Sequence, residues 1–239
     1  MNVFLAGASG VVGRPLLKLL RTAGHAVTGI TRSHANVGLI ESFGARALVV
    51  DVFDAAALTA AVAAAKPDVV IHQLTDLPDT IDPQTYPAAI ARNSRLRIEG
   101  TPNLVAAAAA GGARRLIAQS VAFAYAPGEG PRREGDALDF GNAARRSLVD
   151  GVVALERAVT SAPEVEGLVL RYGYFYGAGT WNVTPQPPAV HVDAAAQAAL
   201  LALTRGAPGI YNIAEENGPV SSEKARRELG FDAAFRLSA

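Results

Sequence analysis

An apolar run, Asn2-Val-Phe-Leu-Ala6, ends in Gly7-Ala-Ser-Gly10-Val-Val-Gly13, and a helical pattern, Arg14-Pro-Leu-Leu-Lys-Leu-Leu-Arg21, follows at once. Residues of these types at this spacing can hold a pyrophosphate. Glycine at 7 and 10 lets the backbone approach an anion where a Cβ would intrude, and glycine at 13 lets the helix sit tightly on the strand. Ser9, Val11 and Val12 lie on the turn, and the unpaired N–H groups of the first helical turn then face the phosphates. A glycine triplet alone is an ordinary turn. The strand before this one and the helix after it make it a candidate dinucleotide site.

The elements that must position that turn recur along the chain. Short apolar runs stand at Val3–Ala6, Ala26–Ile30, Arg46–Val50, Val69–Ile71, Leu116–Ala118 and Gly167–Leu170. Helical patterns alternate with them at Val11–Ala23, Ala35–Phe43, Ala55–Ala65, Ala88–Ala110 and Ala144–Ser161. This alternation predicts an α/β, Rossmann-like, doubly wound parallel sheet, spanning residues 1–171. Thr75–Pro87 and Ala126–Asn142 break the rhythm and read as loops beyond the carboxyl ends of the fourth and fifth strands, where ligands bind in such sheets. Residues 172–239 carry aromatics, glycines and prolines, then a helix to about Thr204, a strand at Ile210–Ile213 and a helix near Ser222–Leu229. They predict a small, shortened C-terminal lobe packed on the same domain.

Composition narrows the chemistry. Of 239 residues, half are hydrophobic and 18% charged, so the chain can bury a sizeable core. Twenty-two basic residues balance twenty-two acidic ones, which gives no electrostatic reason for a nucleic-acid or membrane partner. There is no cysteine, so disulfides and thiolate chemistry are excluded. Four scattered histidines have no ligand spacing, so no metal is expected. With no export signal and no long apolar span, a cytoplasmic location is expected.

Taken together, these residues resemble the atypical or extended short-chain dehydrogenase/reductases, in the NAD-dependent epimerase/dehydratase branch. Gly7–Gly13 is similar to that family's nucleotide loop and Val49-Val-Asp51 to its third strand. Val69-Val-Ile-His72 resembles its fourth strand, and Glu99-Gly-Thr-Pro-Asn-Leu104 its interface helix. Leu116-Ile-Ala-Gln-Ser120 with Tyr125 resembles the strand that carries a catalytic serine. Leu170-Arg-Tyr-Gly-Tyr-Phe-Tyr-Gly177 and His191-Val-Asp193 match two later signatures. The resemblance implies a nicotinamide dinucleotide, a small-molecule substrate and a homodimer paired through the helices at 88–110 and 144–161.

In this fold an acid after the second strand suits the ribose of NAD, and an arginine there suits the 2′-phosphate of NADP. Here Thr31 is followed by Arg32 and Ser33, and the first acid is Glu41, so NADP is expected over NAD. Arg32 as a plain solvated charge is the alternative. Asp51 and Val52 fall at the adenine end, where Asp51 either meets the nucleotide or starts the turn before the next helix. His72 and Gln73 end the fourth strand near the expected nicotinamide ribose. His72 there is either a site residue or a hydrogen-bonded core histidine.

The resemblance also implies a Tyr-x-x-x-Lys pair on the helix at 144–161, and this chain departs from it. Its three lysines are Lys18, Lys66 and Lys224, with Arg14, Val62 and Val220 four residues earlier. Leu148 and Val152 occupy the Tyr and Lys places. Three readings follow. A reductase of a small carbonyl compound would use Ser120 to hold the oxygen and Tyr125, Tyr174 or Tyr176 to donate the proton. A non-catalytic protein would bind NADP(H) as a sensor or scaffold. An epimerase or dehydratase would use relocated acid/base groups. Only eleven residues, Thr180–Val190, stand where extended members place a substrate-binding insertion. That favours a small, apolar or aromatic substrate, with Trp181 either a wall of its pocket or a core aromatic.

Overall fold

The computed structural model describes residues 1–78, 82–216 and 218–237. In chain order the elements are β1 (Asn2–Ala6), α1 (Gly13–Thr22), β2 (Ala26–Thr31), α2 (Val37–Ser42), β3 (Arg46–Val49), α3 (Ala55–Ala65) and β4 (Val69–His72). There follow α4 (Tyr86–Arg95), α5 (Thr101–Ala110), β5 (Arg115–Val121), α6 (Arg146–Thr160) and β6 (Glu166–Tyr172). The chain continues through β7 (Tyr174–Tyr176), β8 (Ala189–His191), α7 (Val192–Leu201), β9 (Gly209–Ile213) and α8 (Glu223–Leu229).

Seven strands make one parallel sheet in the order β3-β2-β1-β4-β5-β6-β9, a Rossmann-like doubly wound arrangement. The winding reverses between β1 and β4, where Ala6 sits opposite His72 at the carboxyl edge. That switch point is where such sheets bind ligands. The alternation of β1 explains the two layers of core. Val3 and Leu5 face α1 and α7 with Leu16, Leu17, Leu20 and Tyr211. Phe4 and Ala6 face α3, α5 and α6 with Leu58, Val62, Leu104 and Leu155. Each large apolar side chain fully buried in these layers is worth roughly 1.5–3 kcal/mol.

The sequence reading needs three adjustments. The helix expected at 35–43 is a short turn, His34–Asn36, running into α2. Ser33 caps that turn by accepting from the Ala35 N–H at 3.3 Å. The single helix expected at 88–110 is α4 and α5 joined by a wide π-turn, Leu96–Gly100. The loop expected at 75–87 gives way to α4 at Tyr86, and its Asp79, Thr80 and Ile81 lie outside the described residues. Beyond Tyr172 the chain supplies the last strand of the main sheet and α7, which packs beside α1, as well as the two-stranded β7–β8 sheet. Asn217, Ser238 and Ala239 of that segment lie outside the described residues. No helix among the described residues is long and apolar enough to cross a membrane.

Candidate functional site

At the switch point, the turn after β1 is built for close backbone approach. Gly7 has φ +89°, and a Cβ there would stand 2.5 Å from the Gln73 carbonyl oxygen. A Cβ on Gly13 would stand 2.1 Å from the Gly7 carbonyl oxygen, so only glycine lets α1 start this close to β1. Gly10 closes the turn with an N–H to Gly7 O bond of 3.1 Å. No side chain caps α1 and no acid lies in its first turn. Among the described residues no acceptor stands opposite the N–H groups of Val11 and Val12. Ser9 is half-buried beside them. Free N–H groups at a positive helix end, with no competing anion, suit a pyrophosphate.

The expected adenosine-side residues lie at the ends of β2 and β3. Thr31 is buried, and its hydroxyl accepts from the Ser33 N–H at 3.1 Å, which shapes the turn that presents Arg32. Arg32 reaches across to Asp76 at 3.0 Å, tying the β2 end to the loop after β4. Asp76, which the sequence reading missed, is also 3.8 Å from Arg92. Asp51 is exposed and accepts from the Phe53 N–H at 2.9 Å. Val52 is buried against the α4–α5 junction near Gly100, and its carbonyl accepts from Asn103 at 3.0 Å.

At the centre of the sheet the expected hydroxyls are already engaged. Ser120 is 1% exposed and donates to Glu156 at 2.7 Å. Arg171 donates to both oxygens of Glu156 and to the Tyr125 hydroxyl at 2.7 Å. Tyr125 in turn donates to Asn212 at 2.7 Å. Burial pushes the Tyr125 phenol above its ordinary range, against the pull of Arg171. Ser120 and Tyr125 are thus parts of one buried network joining β5, α6, β6 and β9, and neither hydroxyl is held free at the carboxyl edge.

His72 is fully buried, with Nε2 3.0 Å from the Thr101 hydroxyl and Nδ1 accepting from the Leu74 N–H at 3.2 Å. That pattern places its proton on Nε2. Burial, then the nearby Arg97 charge, pushes its pKa down to about 3, so it is neutral and fixed at pH 7. Gln73 donates to the Tyr172 hydroxyl at 3.3 Å, and its Oε1 is a buried acceptor with no partner among the described residues. Gln73 borders the glycine turn through its backbone, and the orphaned acceptor fits a donor on a bound dinucleotide.

Aromatic groups line the rim. Tyr174 is 39% exposed and stacks flat on Phe123, with ring centroids 4.1 Å apart. Its hydroxyl makes no hydrogen bond among the described residues. Burial raises the pKa of this phenol, while Arg145 opposes the rise. Tyr176 instead donates to Glu215 and accepts from Arg236 at 2.8 Å, which ties it to the C-terminal segment. Trp181 is 40% exposed. Phe123 was missed in the sequence, although its place just past β5 was the available signal.

The profile of the NAD dependent epimerase/dehydratase family matches residues 3–189. The chain belongs to that family. It is 40% identical over 231 residues to a 3-diazoavenalumate denitrifying reductase from Streptomyces sp, covering 95% of this chain and 72% of that protein. Among solved structures, UDP-glucose 4-epimerase from Thermotoga maritima superposes with a TM-score of 0.81 at 16% identity, covering 99% of this chain and 94% of the other. A dTDP-glucose 4,6-dehydratase from Streptomyces venezuelae gives 0.78 at 16% identity, over 99% and 93%. These two share the fold. As a member of the epimerase/dehydratase family the chain is an NAD(P)-binding enzyme, and the glycine turn and the orphaned Gln73 acceptor fit that group. On α6 of this member, Val152 is fully buried and Leu148 half-buried, so neither position offers a polar group.

Proposed function

We propose that this chain is an NADPH-dependent reductase of a small aromatic substrate whose reacting carbon needs no proton donor beside it. One observation carries the reading: Ser120 and Tyr125 are locked into the Glu156–Arg171 network, and α6 carries the apolar Leu148 and Val152 where the family's acid/base pair would stand. A bound reduced nicotinamide supplies a hydride. A carbonyl carbon that accepts it leaves an oxyanion to be protonated, whereas an aryl diazonium carbon loses neutral dinitrogen and leaves nothing to protonate. The 40% identical reductase is named for a diazo compound, which supports the second chemistry for this chain. The glycine turn would hold the pyrophosphate, Arg32 the 2′-phosphate, and the Phe123–Tyr174 stack the aromatic ring.

Reduction of a small carbonyl remains the second reading because Tyr174 keeps an unengaged hydroxyl at the rim. The deciding experiment follows NADPH oxidation with a benzenediazonium salt and with a panel of aromatic aldehydes, each against an enzyme-free baseline. Release of dinitrogen with arene formation supports the first reading. Turnover of aldehydes alone supports the second, and tight NADPH binding without turnover of either supports a sensor. We further propose that two copies pair through the apolar groove between α5 and α6, lined by Pro102, Val105, Ala109, Ala154 and Ala158.

A further inference from the structure

Asn93, Arg97 and Thr101 recur every four residues along α4, the π-turn and α5, and all three are at least nine-tenths buried. Four-residue spacing sets them in a row on the face that covers β4. Thr101 meets His72, the last residue of β4, at 3.0 Å. Asn93 accepts from the Asp76 N–H, beyond the strand, at 2.9 Å. Arg97 lies between these two anchors, one turn past the carboxyl end of β4, at the edge where ligands bind.

Unlike its neighbours in the row, Arg97 makes no hydrogen bond or ion pair among the described residues, although it is only 5% exposed. Glu156 is the one acid whose charge acts on it. That carboxylate is already engaged by Ser120 and by two nitrogens of Arg171, at 2.6–2.7 Å. His72, which Arg97 also influences, is neutral. A guanidinium buried this far without an ion pair or hydrogen bond of its own is costly and is retained where a ligand supplies the anion. Its planar fork matches a carboxylate.

We propose that Arg97 anchors the carboxylate of an aromatic acid substrate. This deepens the reductase reading by naming a charged group on the substrate. The name of the 40% identical relative is itself that of a carboxylate.

The test is calorimetric titration of the full chain, with and without NADP+, using cinnamate and its neutral counterpart cinnamamide. Heat is read and not turnover, so the reductase reading can fail while this proposal stands, and the reverse. The wild type is expected to bind cinnamate at least tenfold tighter than cinnamamide. Arg97→Met should erase that preference and Arg97→Lys should keep part of it. Arg97→Met should leave NADP+ affinity unchanged, and its melting temperature should equal or exceed that of the wild type because a lone buried charge is gone. The proposal is overturned if the wild type shows no preference or binds neither compound, or if Arg97→Met keeps the preference. It is also overturned if NADP+ affinity falls in step with cinnamate affinity, which would assign the guanidinium to the cofactor's phosphates. A lower melting temperature with the preference intact would make Arg97 structural.

Discussion

Glu156 grips Arg171 through both carboxylate oxygens, at 2.7 and 2.6 Å, with neither side chain more than 7% exposed. Breaking one partner of such a pair leaves a buried charge and typically costs 3–5 kcal/mol. Glu156→Gln should therefore lower stability by about 3 kcal/mol and the melting temperature by roughly 6–12 °C. The double variant Glu156→Leu/Arg171→Leu should lose less than Arg171→Leu and Glu156→Leu summed. Additive losses in a denaturation series would mean that the pair is not coupled.

The proposed preference for NADPH rests on the pair at the other end of the site, where Asp76 holds Arg32 at 3.0 Å. Arg32→Glu should weaken NADPH binding by roughly ten- to a hundredfold, about 1.4–2.7 kcal/mol, and spare NADH. Asp76→Asn should release the guanidinium and tighten NADPH a few-fold. Fluorescence titration with both nucleotides reads the two variants, and an unchanged NADPH/NADH ratio in Arg32→Glu would exclude the 2′-phosphate role.

His72 makes stability depend on acid. Its folded pKa, about 3, lies below the ordinary 6.5, so the unfolded chain binds the proton first as pH falls. Stability attributable to His72 is therefore present above pH 6.5 and lost on descending towards pH 3. Between pH 6.5 and 5 the loss should reach roughly 2 kcal/mol. His72→Gln should flatten that slope in urea melts whatever its baseline stability.

Tyr174 separates the two substrate readings. If it is an aromatic wall, Tyr174→Phe keeps kcat and KM, while Tyr174→Ala raises KM roughly three- to tenfold, the worth of one ring stack. If it is the proton donor to a carbonyl, Tyr174→Phe loses kcat outright. Steady-state kinetics on one diazonium salt and one aldehyde distinguish them.

The groove between α5 and α6 is the place to test pairing. Ala109→Arg would put a charge into an apolar seam and should turn a dimer into a monomer in light scattering. If the wild type is already monomeric, the pairing proposal fails.

Much of this was legible in the sequence. The glycine turn could be read because strand, turn and helix each had a local signature, and the six apolar runs all became parallel strands. Ser120 was harder. β5 is buried on both faces, so period-two alternation does not say which side of the sheet its hydroxyl takes, and its partner Glu156 is 36 residues away. Arg97 was not singled out in the sequence, because an arginine within a helical run carries no local sign that its side chain is buried.

The pairing of β9 with β6 has a bearing on biosynthesis. Asn212, which closes the network around Tyr125, comes 87 residues after it in the chain. A nascent chain translated as far as α6 holds the glycine turn and four neighbouring strands around it, yet lacks the strands that complete Tyr125's surroundings. The layer that covers α1 also waits for α7 and β9, so both core layers and the Tyr125 network close only once the C-terminal segment has left the ribosome.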